Sequence, residues 1–350
     1  MSSPQTSLSS PPSFLHSDEL REKIKELITL TGTDPDSLGG DLIAQIIAAS
    51  LKMGSDKFDI GQIKLMARSF KEMRHAYRVF NQYQKGRCVS IFGSARTPKS
   101  HPDYKAAASF SLAMAAEGWD CMTGAADGIM QAGLEGAPQE ARFGLSIRLP
   151  FENTTHSYME GDPKFMMFRY FFTRKLMFAS HSDALAAFPG GVGTQDEVFE
   201  VLTLMQTGRS RLVPVVLVEG EEGNYWQAWE HYIQNSLLAK GFISAEDQNL
   251  YYKASGVEDA VSHIKQFYYR YHSSRYVKDV LVIRLLAPLN ANQIHSLNIE
   301  FRALIDKGEI YATASLPEEN DHLDLPRIAF VHNQRQFGLL RAMIDRINSY

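Results

Sequence analysis

The sequence predicts an α/β protein whose parallel sheet is covered by helices on both faces. Two observations carry this prediction. From Arg87 onward, short apolar runs alternate with helical runs, and several of the apolar runs end in glycine-bearing turns. Alternation of this kind is typical of βαβ units. We therefore expect a Rossmann-like, doubly wound sheet over residues 85–272, with a helical N-terminal segment before it and a small C-terminal α+β appendage after it.

The composition is typical of a globular protein, with 350 residues, 44% of them hydrophobic, and a formal net charge of −4. This charge gives no indication of a nucleic-acid or membrane partner. Residues 1–13 are rich in Ser and Pro and lack the features of a signal peptide, so we expect a disordered tail and a cytoplasmic protein. Cys88 and Cys121 lie in apolar runs and are interpreted as buried thiols; no Cys/His spacing indicates a metal.

The elements follow in order along the chain. Residues 14–84 carry helical spacing, for example at Leu20, Ile24 and Leu27, without a chemical signature. Residues 165–182 predict one long apolar helix, and residues 273–350 predict an appendage of order β-α-β-β-α. The five strand candidates of the core are RCVSIFGSAR, WDCMTG, ARFGLSIRLPF, DALAAFPGG and LVPVVLVEG.

Three glycine-bearing loops follow strand candidates in the core. They contain Gly93-Ser94, residues 124–128 and residues 190–194. Ligands of doubly wound sheets bind beyond the carboxyl ends of the strands. We therefore expect the three loops to converge on one crevice.

The stretch FPGGVGTQDE carries the strongest local signal. Gly190, Gly191 and Gly193 free the backbone, and Thr194 with Glu197 has the spacing of a capping box. A helix that begins here would offer backbone N–H groups to an anion such as phosphate. A plain turn with a helix cap is the alternative, but it would not require three glycines.

Arg174 and Lys175 interrupt the apolar run FMMFRYFFTRKLMF. Their side chains could simply extend to solvent or pair with an acid. An arginine fork also suits the recognition of phosphate or ribose hydroxyls. A dinucleotide site is disfavoured, because the first strand–helix turn reads GSARTP and lacks G-x-G-x-x-G.

Taken together, GSAR, GIM, FFTRK and PGGVGTQDE resemble the Lonely Guy (LOG) family, whose members were once labelled lysine decarboxylases. The resemblance covers about residues 87–270. It implies a phosphoribohydrolase that cleaves a nucleoside 5′-monophosphate, either a cytokinin nucleotide or an ordinary purine or pyrimidine nucleotide, to free base and ribose 5-phosphate. It also implies a homodimer or higher homo-oligomer. The implied reaction requires no cofactor. The lysine decarboxylase label itself has little support, because the sequence shows no pyridoxal-phosphate lysine context.

The resemblance also implies roles for particular residues. Arg174 and Glu197 match the essential arginine and glutamate. The residues matched to the nucleotide-binding positions are Gly93, Ser94, Lys175, Gly190, Gly191, Gly193 and Thr194. The second turn departs from the family pattern at Asp127 and Gln131, which leaves the base preference open.

The chemistry of these residues is consistent with cleavage of an N-ribosyl bond. Glu197 could stabilise an oxocarbenium-like transition state or act as a general base, and both roles stay open. Asp196 is a candidate second acid, although a favourable charge in the first helical turn explains it better. The alternative function is a carrier or sensor that binds a phosphorylated ligand, such as molybdenum cofactor or a nucleotide, without hydrolysing it.

Overall fold

The computed structural model describes residues 18–149 and 158–350. The tail expected at residues 1–13 lies outside the described residues. Backbone contacts divide the chain into two compact units, Met1–Arg74 and His75–Tyr350.

The described part of the first unit is helical, as the sequence predicts. It contains α1 (Asp18–Leu30), α2 (Leu38–Ser55) and the beginning of α3 (Ile60–Tyr83). The N-terminus of α2 is capped by Ser37, whose Oγ accepts a hydrogen bond of 3.0 Å from the backbone N–H of Gly40.

The second unit is built on a seven-stranded parallel sheet of order β4-β3-β2-β1-β5-β6-β7. The central strands are buried along their whole length, which explains their continuous apolar sequences. The doubly wound α/β fold is therefore confirmed. Its strands are β1 (Cys88–Phe92), β2 (Asp120–Thr123), β3 (Arg142–Ile147), β4 (Phe165–Phe168), β5 (Ala184–Ala187), β6 (Val215–Leu217) and β7 (Tyr252–Lys253).

The strand order contains a switch point beside β1. The chain adds β2, β3 and β4 on one side of β1 and then returns to place β5 on the other side. In the register of this return, Val89 lies opposite Cys121 of β2 and Ala184 of β5. Such a reversal leaves a crevice at the carboxyl ends of the two strands that diverge. The loops after β1 and β5 border this crevice.

Five helices lie between these strands along the chain: α4 (Pro102–Ala116), α5 (Ile129–Gly136), α6 (Phe171–His181), α7 (Val192–Gln206) and α8 (Tyr225–Tyr232). A sixth, α9 (Val257–Phe267), follows β7. The single long helix predicted over residues 165–182 is wrong. Phe165–Phe168 forms strand β4, which pairs with β3, and α6 begins only at Phe171. A short apolar run does not distinguish a strand from a buried helical turn, and here the free edge of β3 decides in favour of a strand.

A four-stranded antiparallel sheet of order β10-β11-β9-β8 completes the second unit. Its elements are β8 (Tyr271–Val277), β9 (Val280–Leu285), α10 (Ala291–Glu300), β10 (Ile305–Thr313), β11 (Arg327–His332) and α11 (Phe337–Asn348). An α+β appendage is confirmed, but its predicted element order omitted β8. The sequence YHSSRYV is polar and only partly buried, so it carries no strand pattern, and its pairing with β9 holds it in the sheet.

Helix α11 joins this sheet to the parallel core. The side chain of Asn348 accepts hydrogen bonds of 2.9 Å from the backbone N–H groups of Arg270 and Tyr271, and it donates one of 2.6 Å to the carbonyl of Phe267. At the other end of α11, Phe337 packs on Gly208, which follows helix α7. The appendage therefore supports the carboxyl end of the helix that carries Glu197.

Replacing Gly208 by alanine is expected to lower the free energy of unfolding by about 2 kcal/mol. Gly208 has a φ of +66°, and a Cβ there would lie 2.1 Å from Cζ of Phe337, so the ring would have to move. Gly241→Ala is the matched control, because Gly241 has a φ of +71° but nothing within 4 Å. It should cost only the backbone strain of about 1 kcal/mol. Urea denaturation measures both, and equal losses would contradict the packing of α11 on α7.

Candidate active site

The three glycine-bearing loops meet at the carboxyl edge of the sheet. The backbone N–H of Ser94, after β1, donates a hydrogen bond of 3.1 Å to the carbonyl of Pro189, after β5. The carbonyl of Ser94 accepts one of 3.0 Å from the N–H of Ile129, which follows the turn after β2. The side chain of Ile129 packs against Gly93, and a Cβ on Gly93 would lie 2.5 Å from Cγ2 of Ile129. The loops thus form one connected rim.

Gly190 lies where a side chain has no room. A Cβ at this position would be 2.1 Å from Oγ1 of Thr194 and 2.9 Å from the backbone nitrogen of Ser94. Gly191 and Gly193 differ, because both are exposed and a Cβ at either would meet nothing within 4 Å. The loop therefore packs tightly at Gly190, whereas its backbone is exposed at Gly191 and Gly193.

Helix α7 begins earlier than the capping-box spacing predicts. Gly191 is its N-cap and Val192 its first residue, so Thr194 and Glu197 lie inside the helix, both buried. The backbone N–H groups of Thr194 and Gln195 each donate to the carbonyl of Gly191 at 3.1 Å. The predicted box is wrong, yet its consequence stands: a helix N-terminus with its positive dipole end lies directly after Gly190 and Gly191.

Arg174 and Glu197 form a buried pair at this rim. The distance from Nη2 of Arg174 to Oε1 of Glu197 is 3.8 Å, and the two side chains are only 13% and 7% exposed. The guanidinium lies 5.1 Å from the ring centre of Phe171, and its Nε has no hydrogen-bond partner among the described residues. A Cβ at Gly124, in the turn after β2, would be 3.5 Å from Nη1 of Arg174. The pair therefore faces the loops from helices α6 and α7.

Burial controls the ionisation of this pair. It raises the pKa of Glu197 to about 7, although the positive charges of Lys175 and Arg174 oppose the shift. Burial also lowers the pKa of the Arg174 guanidinium. Near neutral pH, Glu197 is thus close to its titration midpoint, where a carboxyl group can take up or release a proton during a reaction.

Lys175 lies beside this pair but is engaged elsewhere. Its Nζ is 2.8 Å from Oδ2 of Asp196 and forms a second ion pair with Glu200. These contacts join α6 to α7, and they give Asp196, which is 57% exposed, a role as the partner of a lysine. The structure brings the other matched residues together around the rim, whereas the amino group of Lys175 is held by Asp196 and Glu200.

The two departures from the family pattern lie in the turn after β2 and in α5. Asp127 is exposed, and Nε2 of Gln131 donates a hydrogen bond of 3.1 Å to Oε1 of Glu135.

In the described part of the chain, His, Cys, Asp and Glu side chains form no group of three or more suited to a metal ion. Within residues 18–149 and 158–350, no helix is long and apolar enough to cross a membrane.

One polar contact at the rim was not predicted. Oη of Tyr225, the first residue of α8, donates a hydrogen bond of 2.6 Å to the carbonyl of Gly190. Tyr225 follows the sixth strand by several residues in a segment without a motif, so no local pattern indicates its contact with the loop. A search for aromatic hydroxyls near the predicted carboxyl ends of strands could have included it.

The fold and the site together define a class of protein: a Rossmann-like α/β protein with a glycine loop, a helix N-terminus and a buried arginine–glutamate pair at its switch point. Residues 122–264 match the model of a family described as "Possible lysine decarboxylase". The core of this chain is thus similar to the Lonely Guy family, and the resemblance noted in the sequence is confirmed.

Curated relatives are named as cytokinin riboside 5′-monophosphate phosphoribohydrolases. The chain is 33% identical over 95 residues to the cytokinin riboside 5′-monophosphate phosphoribohydrolase LOG1 of Arabidopsis thaliana, over 27% of this chain and 42% of the relative. It is 35% identical over 92 residues to the enzyme of that activity from Rhodococcoides fascians, over 26% of this chain and 44% of the relative. The chain thus spans less than half the length of the curated relatives it matches.

Solved structures with a similar fold are more distant. The molybdenum cofactor carrier protein of Chlamydomonas reinhardtii is 20% identical with a TM-score of 0.37, over 52% of this chain and 98% of that chain. The DNA processing protein A of Streptococcus pneumoniae is 14% identical with a TM-score of 0.39, over 71% of this chain and 93% of that chain. At these values the likenesses carry no argument about function.

Proposed function

We propose that this protein hydrolyses the N-glycosidic bond of a nucleoside 5′-monophosphate, releasing the free base and ribose 5-phosphate. The observation that carries the proposal is the buried Arg174–Glu197 pair, 3.8 Å apart, beside an open glycine loop. A buried carboxyl group with a pKa raised to about 7 is costly to keep in a fold, and such groups cluster at functional sites.

In this scheme the phosphate lies on the loop at the N-terminus of α7. The exposed backbone of Gly191 and Gly193 lets the phosphate oxygens approach the N–H groups of the first helical turn. Fixing the phosphate there also fixes the ribose, whose C1′ must reach the buried pair. Arg174 would hold the ribose or phosphate and orient Glu197.

The reaction consumes one water. As the bond from C1′ to the base nitrogen breaks, positive charge develops on the sugar, and ionised Glu197 stabilises it. Water adds to C1′, one of its protons leaves through Glu197 or solvent, and the departing base takes up a proton. Glu197 acting only as a counter-charge would have to stay ionised throughout, whereas as a general base it cycles between its two forms.

The test is an assay of base release from AMP, CMP, GMP, UMP and IMP, resolved by chromatography. The parent chain is expected to release base from at least one of them, and Glu197→Gln is expected to lower kcat by about 100-fold or more. Asp196→Asn removes a neighbouring acid that is exposed and paired with Lys175, so it should change the rate only a few-fold.

Two results would overturn the proposal. Nucleotide binding without base release from any of the five would favour the carrier or sensor function. Equal losses in Glu197→Gln and Asp196→Asn would show that general charge near α7, and not the buried carboxyl group, supports the activity.

A further inference from the structure

A chain of hydrogen bonds connects the glycine loop to the interior of helix α8. Nε1 of Trp229 donates to Oε1 of Gln195 at 2.8 Å, and Nε2 of Gln195 donates to Oη of Tyr225 at 2.7 Å. Oη of Tyr225 donates in turn to the carbonyl of Gly190 at 2.6 Å. Trp229 is 8% exposed, so the chain starts from a buried, fixed indole ring.

The direction of every bond in this chain is determined. An indole N–H can only donate, so the atom of Gln195 that faces Trp229 must be its oxygen. The amide then presents its NH₂ group to Tyr225. Because the phenol oxygen already accepts from Gln195, its single proton is left for the carbonyl of Gly190.

This arrangement orients the backbone of the loop as well as holding it. In a trans peptide the C=O and the following N–H point in opposite directions. Drawing the carbonyl of Gly190 toward α8 therefore turns the N–H of Gly191 away from α8, toward the open side of the loop. Gly191 carries no side chain and a Cβ there would meet nothing within 4 Å, so packing alone does not fix this peptide.

We propose that Tyr225, supported by Gln195 and Trp229, is a positioning residue that aims the N–H of Gly191 at the phosphate of the bound ligand. The inference rests on the phosphate-binding part of the proposed function. It does not depend on hydrolysis, because a phosphorylated ligand that is only bound would use the same N–H.

The probe is ribose 5-phosphate, which is independent of the base, and the measurement is its Kd by calorimetry with the full chain. Tyr225→Phe should weaken binding about tenfold, the effect of one misdirected hydrogen bond. Tyr251→Phe is the matched control, because its ring contacts Trp229 at 5.0 Å but its hydroxyl is outside the chain to Gly190. It should leave the Kd unchanged.

A second variant separates positioning from general damage to α8. Gln195→Leu removes the partner of Trp229 but leaves the Tyr225 hydroxyl free to donate to Gly190, so thermal stability should fall while the Kd changes less than in Tyr225→Phe. Equal losses of affinity in the two variants, an unchanged Kd in Tyr225→Phe, or no binding by the parent would each overturn the inference. Base release by the parent with an unchanged Kd in Tyr225→Phe would leave the proposed hydrolysis standing and remove only this role.

Discussion

Replacing Gly190 by alanine is expected to lower kcat/KM for the nucleotide by about 100-fold or more. The added Cβ would overlap Oγ1 of Thr194 at 2.1 Å and the backbone nitrogen of Ser94 at 2.9 Å. Because one of these atoms is backbone, a rotamer change does not relieve the overlap, and the loop must move away from α7 and from the loop after β1. A displacement of about 1 Å at a site that positions substrate can cost about 100-fold in rate.

The matched control for the effect on stability is Gly193→Ala, whose Cβ would meet no protein atom within 4 Å. Gly193 lies in the first turn of α7, so alanine there should leave the free energy of unfolding within about 1 kcal/mol of the parent. Gly190→Ala should destabilise the protein by about 2 kcal/mol as well as inactivate it. Full activity in Gly190→Ala would show that the close approach between the loops is not required for function.

The difference in free energy of unfolding between Glu197→Gln and the parent is expected to shift in favour of the variant as the pH rises. Burial raises the pKa of Glu197 from 4.5 to about 7, so between these values the folded parent holds a proton that the unfolded chain has released. Stability of the parent should therefore fall from about pH 4.5 to pH 7 and be level above it. Glutamine does not titrate and lacks this slope.

The size of the effect follows from the shift. Converted to free energy, the pKa shift changes the difference in free energy of unfolding between variant and parent by about 3 kcal/mol, in favour of the variant, from pH 4.5 to pH 8. Urea denaturation at several pH values in this range measures it. Parallel pH profiles for the two proteins would mean that Glu197 ionises normally in the fold, and its role as a poised acid or base would have to be abandoned.

The sequence predicts most of the core because the core follows simple periodic rules. Buried parallel strands read as continuous apolar runs, and glycines mark the turns that follow them, so the sheet and the convergence of its loops were both predictable. The pairing of Arg174 with Glu197 came from motif resemblance, since nothing in local spacing indicates that α6 and α7 approach each other.

The errors occur where tertiary contacts override local pattern. Phe165–Phe168 is as apolar as a buried helix, and only the open edge of β3 makes it a strand. Strand β8 is polar and depends on pairing with β9. The start of α7 moved to Val192 because the backbone of Gly191 caps the helix without a side chain. Tyr225 is bonded to the carbonyl of Gly190 from a segment 35 residues further along the chain, and local spacing does not indicate a contact of that kind.

The return of the chain to β1 has a consequence for the order in which the protein folds. The crevice lies between β1 and β5, which are joined by a hydrogen bond from the N–H of Cys88 to Asp183 across 95 residues of sequence. Contacts of such separation form late, because the intervening chain must be ordered first. A partly folded chain would therefore hold the local βα units without a binding site. Ligand binding would then report completed folding, and a bound ligand would act chiefly by slowing unfolding.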